Sequence, residues 1–292
     1  MKKKLSILIP VYNETCYDFV KKLAAMCVAM HEAQQLADYE IVVADDASTS
    51  QDCLTANRAI NDIPHCSYIE KERNTGSAAT RNFLAQKSQY DWLLFLDSDM
   101  AIDHSDFLLR YLVCEAEGII NGGISIGKGL TSNLRYLYEK HSEHQHTAEQ
   151  RSLRPYHSFR STNFLIARDL MLRCPFDERF KKSGYEDVHF GKKLAEQKAS
   201  IIHINNPLIM NSYENNADYM AKYERNLTTL FQFRNELRGY SPLIKYADLL
   251  PHLPIRLWHW LFGRLERRAL TGSHPSLFML NLYKLGYFIS LY

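Results

Sequence analysis

"LLFLDSDM", residues 93–100, opens apolar and closes on two carboxylates. Residues 92–96 have the unbroken apolar character of a strand buried on both faces. Asp97 and Asp99 follow with one residue between them. In parallel α/β sheets, ligands sit beyond the carboxyl ends of the strands. The stretch therefore reads as a central strand that ends at a ligand site.

The flanking sequence supports that reading. Strands are expected at 5–11, 40–44, 67–70 and 91–96, with helices at 17–35, 51–60 and 77–87 between them. Strand and helix alternating at this spacing predict an α/β fold, with a mostly parallel twisted sheet flanked by helices. Further on, 118–126 reads as one strand, 133–151 as helical, 161–171 as a strand leading into a helix, 186–197 as a helix and 199–204 as a last strand. From about residue 214 the texture changes. Residues 214–237 form a long polar amphipathic pattern, and the remainder is helical, aromatic and basic. The expected division is 1–213 as the catalytic domain, with halves at about 1–100 and 101–213, and 214–292 as a helical C-terminal extension.

Composition narrows the class. The 292 residues are 46% hydrophobic and 23% charged, ordinary for a folded protein. A net charge of +2 argues against nucleic acid as a partner. The six cysteines form no CxxC pair, which suggests reduced thiols in a cytoplasmic setting and no zinc site. The apolar run at 5–11 is too short for a signal segment or a span, and no window reaches the roughly 18 apolar residues that a spanning helix needs.

Four segments bring polar chemistry to strand ends. "SILIPVYNE" (6–14) ends in Pro10, Tyr12 and Glu14, and "VVADDAST" (42–49) ends in Asp45 and Asp46. "RNTGSAATRN" (73–82) carries Asn74, Gly76 and Arg81, and "LLFLDSDM" carries Asp97 and Asp99. Tyr12 can stack on a base, and Asp46 can accept from a pyrimidine N–H. Gly76 permits close backbone approach, and Arg81 can pair with a phosphate or with the aspartates. Asp97 and Asp99 can share a hard divalent cation, which prefers oxygen ligands. Taken singly, each of these is also ordinary turn chemistry. A fifth segment, "GYEDVHFG" (184–191), places Glu186 and Asp187 at a helix start. There an acid either caps the helix or serves as a base.

With "PFDERFKKSGYEDVHFGKKL" (175–194), these motifs stand in the order and near the spacings of the inverting family 2 glycosyltransferases of GT-A fold, which the chain resembles over roughly residues 5–210. The resemblance implies a nucleotide-sugar donor, most often a UDP-sugar, held by Pro10, Tyr12, Glu14, Asp46, Asn74, Gly76, Arg81 and Asp97. It implies a Mn²⁺ or Mg²⁺ ion on Asp99 and Asp97, Asp187 as the catalytic base and Glu186 orienting the acceptor, a hydroxyl of a glycan or of a lipid-linked molecule. One position departs from the pattern. The histidine that often completes the metal shell falls at Met210 or Asn211, and a thioether suits Mg²⁺ poorly.

Competing readings are a sugar nucleotidyltransferase and an inactive nucleotide-sugar-binding protein. "GGISIGKG" (122–129) lacks the last hydroxyl of a phosphate loop and reads as a strand with a glycine turn. His141, His144 and His146 lie in a stretch rich in Glu and Gln that suits a solvated helix. The tail has two readings. Trp258, Trp260, Leu261, Phe262 and Leu265 with Arg256, Arg264, Arg267 and Arg268 suit either peripheral contact with the inner face of a membrane or a helix packed back on the domain.

Overall fold

Along "KLSILIPV", residues 4–11, every side chain from Leu5 to Ile9 is buried. Leu5, Ile7 and Ile9 enter one apolar cluster, and Leu8 enters another. That period of two is what a strand covered on both faces requires. The segment is β1 (Lys4–Val11) of the computed structural model, which describes residues 2–181 and 184–292. The next elements are α1 (Tyr17–Glu32), β2 (Asp38–Asp45), α2 (Gln51–Arg58), β3 (Cys66–Glu70), α3 (Ser77–Lys87) and β4 (Trp92–Leu96). Strands β3, β2, β1 and β4 lie side by side in that order, all parallel. Helix α1 buries Val20, Leu23 and Cys27 in the cluster of Ile7 and Ile9, while α3 buries Ala78, Leu84 and Ala85 in the cluster of Leu8 and Phe95.

Register places the site. Val11 pairs with Asp45, and Leu8 pairs with Phe95. Residues 12–14, 46 and 97–99 therefore leave the sheet on one edge. The chain winds outward from β1 through β2 to β3, then returns to the other side of β1 with β4. That reversal opens a crevice between β1 and β4 at their carboxyl ends, where open α/β sheets bind ligands.

The second half completes the sheet. Its elements are β5 (Met100–Ala101), α4 (Phe107–Val113), β6 (Ile119–Asn121), β7 (Ile124–Ile126), α5 (Leu134–Ser142), α6 (Ala148–Ser152), β8 (Asn163–Ala167), α7 (Arg168–Arg173), α8 (Glu186–Glu196), β9 (Ile201–His203) and β10 (Leu208–Met210). Strand β8 runs antiparallel between β4 and β6, and β9 joins β6 in parallel, giving seven strands. A second sheet holds β5, β10 and β7.

Four expectations need correction. Residues 118–126 are two strands in two sheets. The chain turns at Gly122–Gly123, with Gly123 at φ +82°, and a Cβ on Gly122 would stand 2.1 Å from the Tyr111 hydroxyl. Buried Arg151 fills the corner, donating to the carbonyls of Asn121, Gly122 and Ile204 at 3.0, 3.2 and 2.7 Å. Residues 199–204 are not the last strand, because β10 follows and pairs Met210 with Met100. The helix expected at 133–151 breaks at a 3₁₀ turn, Glu143–His146, where Glu143 accepts from the Ile126 N–H at 3.0 Å. His141 and His144 are exposed there, but His146 is buried and meets Arg160 Nη2 at 3.2 Å. The long helix expected at 214–237 stops at Gln232.

The extension comprises α9 (Asn216–Gln232), α10 (Pro242–Leu249), α11 (His252–Leu270) and α12 (Leu277–Ser290). It packs on the rest of the chain: Phe180 shares a cluster with Leu227, Leu230 and Phe288, and Leu134 shares one with Met220 and Leu280. Helix α11 is anchored on one side only. Arg267 Nε donates to Glu224 at 2.7 Å, His259 lies edge-on to Tyr283 of α12, and Glu266 and Leu270 are buried. Its other side shows Leu253, Leu257, Trp260, Leu261 and Leu265, with Trp260 at 77% exposure. Among the described residues, no helix is long and apolar enough to cross a membrane.

Candidate active site

The crevice deepens into a cavity of about 440 Å³. Pro10, Tyr12, Glu14, Asp46, Arg81, Asp97, Asp99, Glu186 and Asp187 all line it. Of the residues singled out in the sequence, Asn74 and Gly76 stand behind the wall and Met210 and Asn211 lie outside it.

The first wall is built by short polar loops. Asn13, in the left-handed region at φ 52°, accepts from the N–H groups of Thr49 and Ser50 at 2.8 and 3.0 Å. This ties the end of β1 to the end of β2 and leaves Tyr12 half-exposed at the mouth. Asp45 is fully buried and caps its own turn, accepting from the Ser48 N–H at 2.6 Å and the Tyr68 hydroxyl at 2.9 Å. Asp46 is held more heavily than the sequence suggests. Its Oδ1 accepts from Lys71 Nζ at 2.6 Å and the Thr75 N–H at 2.9 Å, and its Oδ2 accepts from the Gly76 N–H at 2.8 Å. Oδ2 keeps acceptor capacity toward the cavity. Asn74 Nδ2 donates to the Asp46 carbonyl at 2.9 Å. Gly76 has φ +88°, and a Cβ there would come within 2.5 Å of the Lys181 carbonyl, so only glycine fits.

Arg81, on α3, is buried, and its guanidinium spans the site. Nη2 donates to Asp97 Oδ1 at 2.7 Å, and Nη1 lies 3.7 Å from Glu186 Oε1. Nε and Nη1 have no hydrogen-bond partner. Buried donors in that state suit an anion such as a diphosphate.

Carboxylates crowd the opposite side. Burial, and then Asp97, push the Asp99 carboxyl above its ordinary range, while Arg135 and Lys222 pull the other way. Burial, and then Asp99, raise Glu14 as well. Several acids that hinder one another's ionisation form an oxygen-only donor set that a hard divalent cation would relieve. Asp97 and Asp99 fit a metal on that ground. Met210 does not extend the set, because its side chain is buried in the main apolar cluster.

Helix α8 closes the cavity. Gly184 and Tyr185 both have positive φ, 104° and 68°, which turns the chain sharply into its first residue. Glu186 is fixed: Oε1 accepts from Ser77 Oγ at 2.8 Å and Oε2 from the Gly184 N–H at 2.9 Å. Asp187 accepts from the Val188 N–H at 2.8 Å. Burial, followed by the Glu186 charge, pushes its carboxyl up to about 6. Further along α8, His189 faces Glu236 at 3.5 Å and Asp177 at 4.0 Å. These three form the one tight group of potential metal ligands among the described residues. Arg179 already bridges both carboxylates, so the cluster reads as a clasp between α8 and the extension.

Sequence reasoning missed several lining residues. Ser77 and Thr80 share the motif of Arg81 and line the cavity beside it. Lys222 and Asn226 come from α9, beyond the expected boundary at residue 213. Their spacing of four puts them on one face of a helix whose polar side looks solvated in sequence. The extension is therefore part of the site's wall.

Residues 6–174 match Glycosyl transferase family 2, so the chain belongs to that family. It is 30% identical over 129 residues to an uncharacterized glycosyltransferase of Haemophilus influenzae, covering 39% of this chain and 49% of that one. It is 31% identical over 128 residues to the poly(ribitol-phosphate) beta-glucosyltransferase of Bacillus spizizenii, covering 43% of this chain and 19% of that one. The match thus spans about half or less of these relatives. Among solved structures it resembles S. aureus TarS 1-349 in complex with UDP-GlcNAc (TM-score 0.52, 15% identity, 99% of this chain and 90% of that one). It also resembles the mannosyltransferase PcManGT of Pyrobaculum calidifontis in complex with GDP-Man and Mn²⁺ (TM-score 0.51, 17% identity, 100% of this chain and 81% of that one). The family match and these structural likenesses agree on a GT-A-like fold.

Proposed function

We propose that the chain moves a sugar from a nucleotide-diphosphate donor, a UDP-sugar, to a hydroxyl of a glycan or lipid-linked acceptor, with inversion. One observation carries this reading: the paired aspartates, the unpartnered donors of Arg81 and the raised carboxyl of Asp187 line one cavity. Tyr12 stacks on the base, and Asp46 Oδ2 accepts from its ring N–H. Pro10, Glu14, Asn74 and Gly76 shape the donor pocket around them. Arg81 binds the diphosphate and, through Asp97, positions the ribose side. Asp97 and Asp99 would hold the divalent ion, Mn²⁺ or Mg²⁺, which would neutralise charge on the departing diphosphate. Asp187 takes the proton of the acceptor hydroxyl as its oxygen attacks the anomeric carbon. The bond to the diphosphate breaks on the opposite face, and the configuration inverts. Glu186, held by Ser77, keeps Asp187 and Arg81 in place and orients the acceptor.

The test is hydrolysis of a panel of nucleotide sugars with and without Mn²⁺. Slow release of UDP from one donor is expected, and Asp99→Ala is expected to reduce it at least 100-fold at low micromolar Mn²⁺. Release of pyrophosphate would assign a nucleotidyltransferase instead. No donor bound under any metal condition would end the reading.

The outer face of α11 belongs to the same proposal. Its exposed apolar side chains are interspersed with exposed Arg264 and Arg268 and bordered by Arg256, a mixture that suits the headgroup region of an anionic bilayer. On this reading the enzyme works peripherally on the inner face of a membrane, beside a lipid-linked acceptor. Partition onto phosphatidylglycerol-containing vesicles is expected, with little onto neutral ones. Trp260→Ser with Leu261→Ser is expected to weaken it about 100-fold, since each side chain buries about 1.5–3 kcal/mol of apolar contact. Equal sedimentation of wild type and variant with anionic vesicles would refute the contact.

A further inference from the structure

A second cavity, of about 750 Å³, has Asp187 in its wall as well. It is framed by α5, the 3₁₀ turn at Glu143–His146, α6 and the loop 153–160. Among the residues that line the two cavities, Asp187 alone is common to both. In a direct displacement the donor carbon and the attacking hydroxyl must meet beside the base. If the first cavity takes the donor, the second is the space from which the acceptor reaches Asp187.

Its lining says what the acceptor is. Ser142, Gln145, Gln150 and Ser158 offer hydroxyls and amides, the groups that hydrogen-bond sugar hydroxyls. Charge is uneven. Apart from Asp187, the only acid in the wall is Glu139. Arg160 partly answers it at 3.5 Å, and Nη2 of the same guanidinium meets His146. Arg151 is spent on backbone carbonyls. Arg154 is exposed, and its guanidinium has no hydrogen bond or ion pair to any described residue. Arg151, Arg154 and Arg160 thus bring three positive charges to the wall against the two carboxylates of Glu139 and Asp187. A planar guanidinium pair of this kind matches phosphate or carboxylate oxygens.

Resting on the transferase reading above, we propose that the second cavity binds an anionic carbohydrate acceptor: a sugar carrying a phosphate or a uronic carboxylate, gripped by Arg154 and Arg160, with its free hydroxyl directed to Asp187. The surrounding amides and hydroxyls hold the sugar ring, and the anion sets its register.

The test uses three methyl glycosides of one sugar: neutral, phosphate-bearing and uronic. UDP release above the acceptor-free rate is followed with the preferred donor. The phosphate-bearing or uronic glycoside is expected to exceed the neutral one at least tenfold in kcat/KM, and which of them leads identifies the anion. In Arg154→Gln the loss is expected in KM, about ten- to 100-fold, because a charged hydrogen bond has gone. Discrimination against the neutral glycoside is expected to fall with it. Equal use of all three glycosides by wild type would overturn the proposal, as would discrimination that survives Arg154→Gln. A second arm needs no turnover. Binding of the phosphate-bearing and uronic glycosides is measured by calorimetry for wild type, Arg154→Gln and Arg160→Gln. Arg160 is tied to neighbouring groups, so Arg154→Gln, whose side chain supports nothing else, decides the outcome if the other variant does not fold. If no donor turns over, the transferase reading falls, and this arm still judges the cavity. Binding lost in the variant supports an anion site, and equal binding in variant and wild type overturns it.

Discussion

Asp187→Asn is expected to lower the transfer rate by about 10³-fold while leaving the affinity for the nucleotide sugar within about threefold. Asparagine keeps the shape of the side chain and its bond from the Val188 N–H, but it cannot take a proton from the acceptor hydroxyl. The donor groups Tyr12, Asp46, Arg81 and Asp97 are untouched. The loss should therefore appear in kcat with acceptor present. A rate for Asp187→Asn within tenfold of wild type would remove Asp187 from the role of base and pass attention to Glu186.

The pH profile is an independent readout of the same residue. Burial and the neighbouring Glu186 charge raise the Asp187 carboxyl to about 6. The base works only when ionised, so the rate should be flat above that value and fall below it, tenfold per pH unit. The Asp187→Asn residual rate should lose that limb. Burial is the larger cause of the high limb, and the Glu186 charge beside it the smaller. Glu186 itself is locked by Ser77 and Gly184.

The fold's first half is legible because β1, β2 and β4 read as apolar runs that each stop at a polar cluster. Parallel pairing then brings those stops to one edge without further information. The second half is harder for a physical reason. Which strand lies beside β4 depends on the long-range pairing of Leu94 with Leu165, and no local pattern encodes it. The corner at Gly122–Gly123 depends on Tyr111 and Arg151 from other elements. The apolar run at 118–126 thus hides a change of sheet. The site shows the same split. Asp97, Asp99 and Asp187 stand in short motifs, whereas Lys222 and Asn226 reach the cavity because α9 packs beside α5 and α12. The weight that Asp46 places on Lys71 is a contact across 25 positions and equally invisible.

Replacing Arg81 by methionine is expected to cost both function and stability. The side chain is 4% exposed and joins Asp97, at 26%, to Glu186, at 12%. Methionine fills most of the volume but leaves two carboxylates facing each other without the cation between them. Removing one partner of a buried ionic group costs about 3–5 kcal/mol, trimmed here to about 2 kcal/mol because Asp97 is partly solvated. That corresponds to a fall in Tm of about 3 °C for a chain of this size. Turnover should drop at least 10³-fold, since the diphosphate loses the guanidinium and α8 loses a tether at its first residue. Arg81→Lys separates the two effects. It restores a charge but not the fork that reaches Asp97 and Glu186 together. Stability should recover to within about 1 kcal/mol, while turnover stays at least tenfold below wild type. A lysine variant with full turnover would mean that charge alone suffices. A methionine variant that melts and turns over like wild type would show that Arg81 holds neither the diphosphate nor the start of α8.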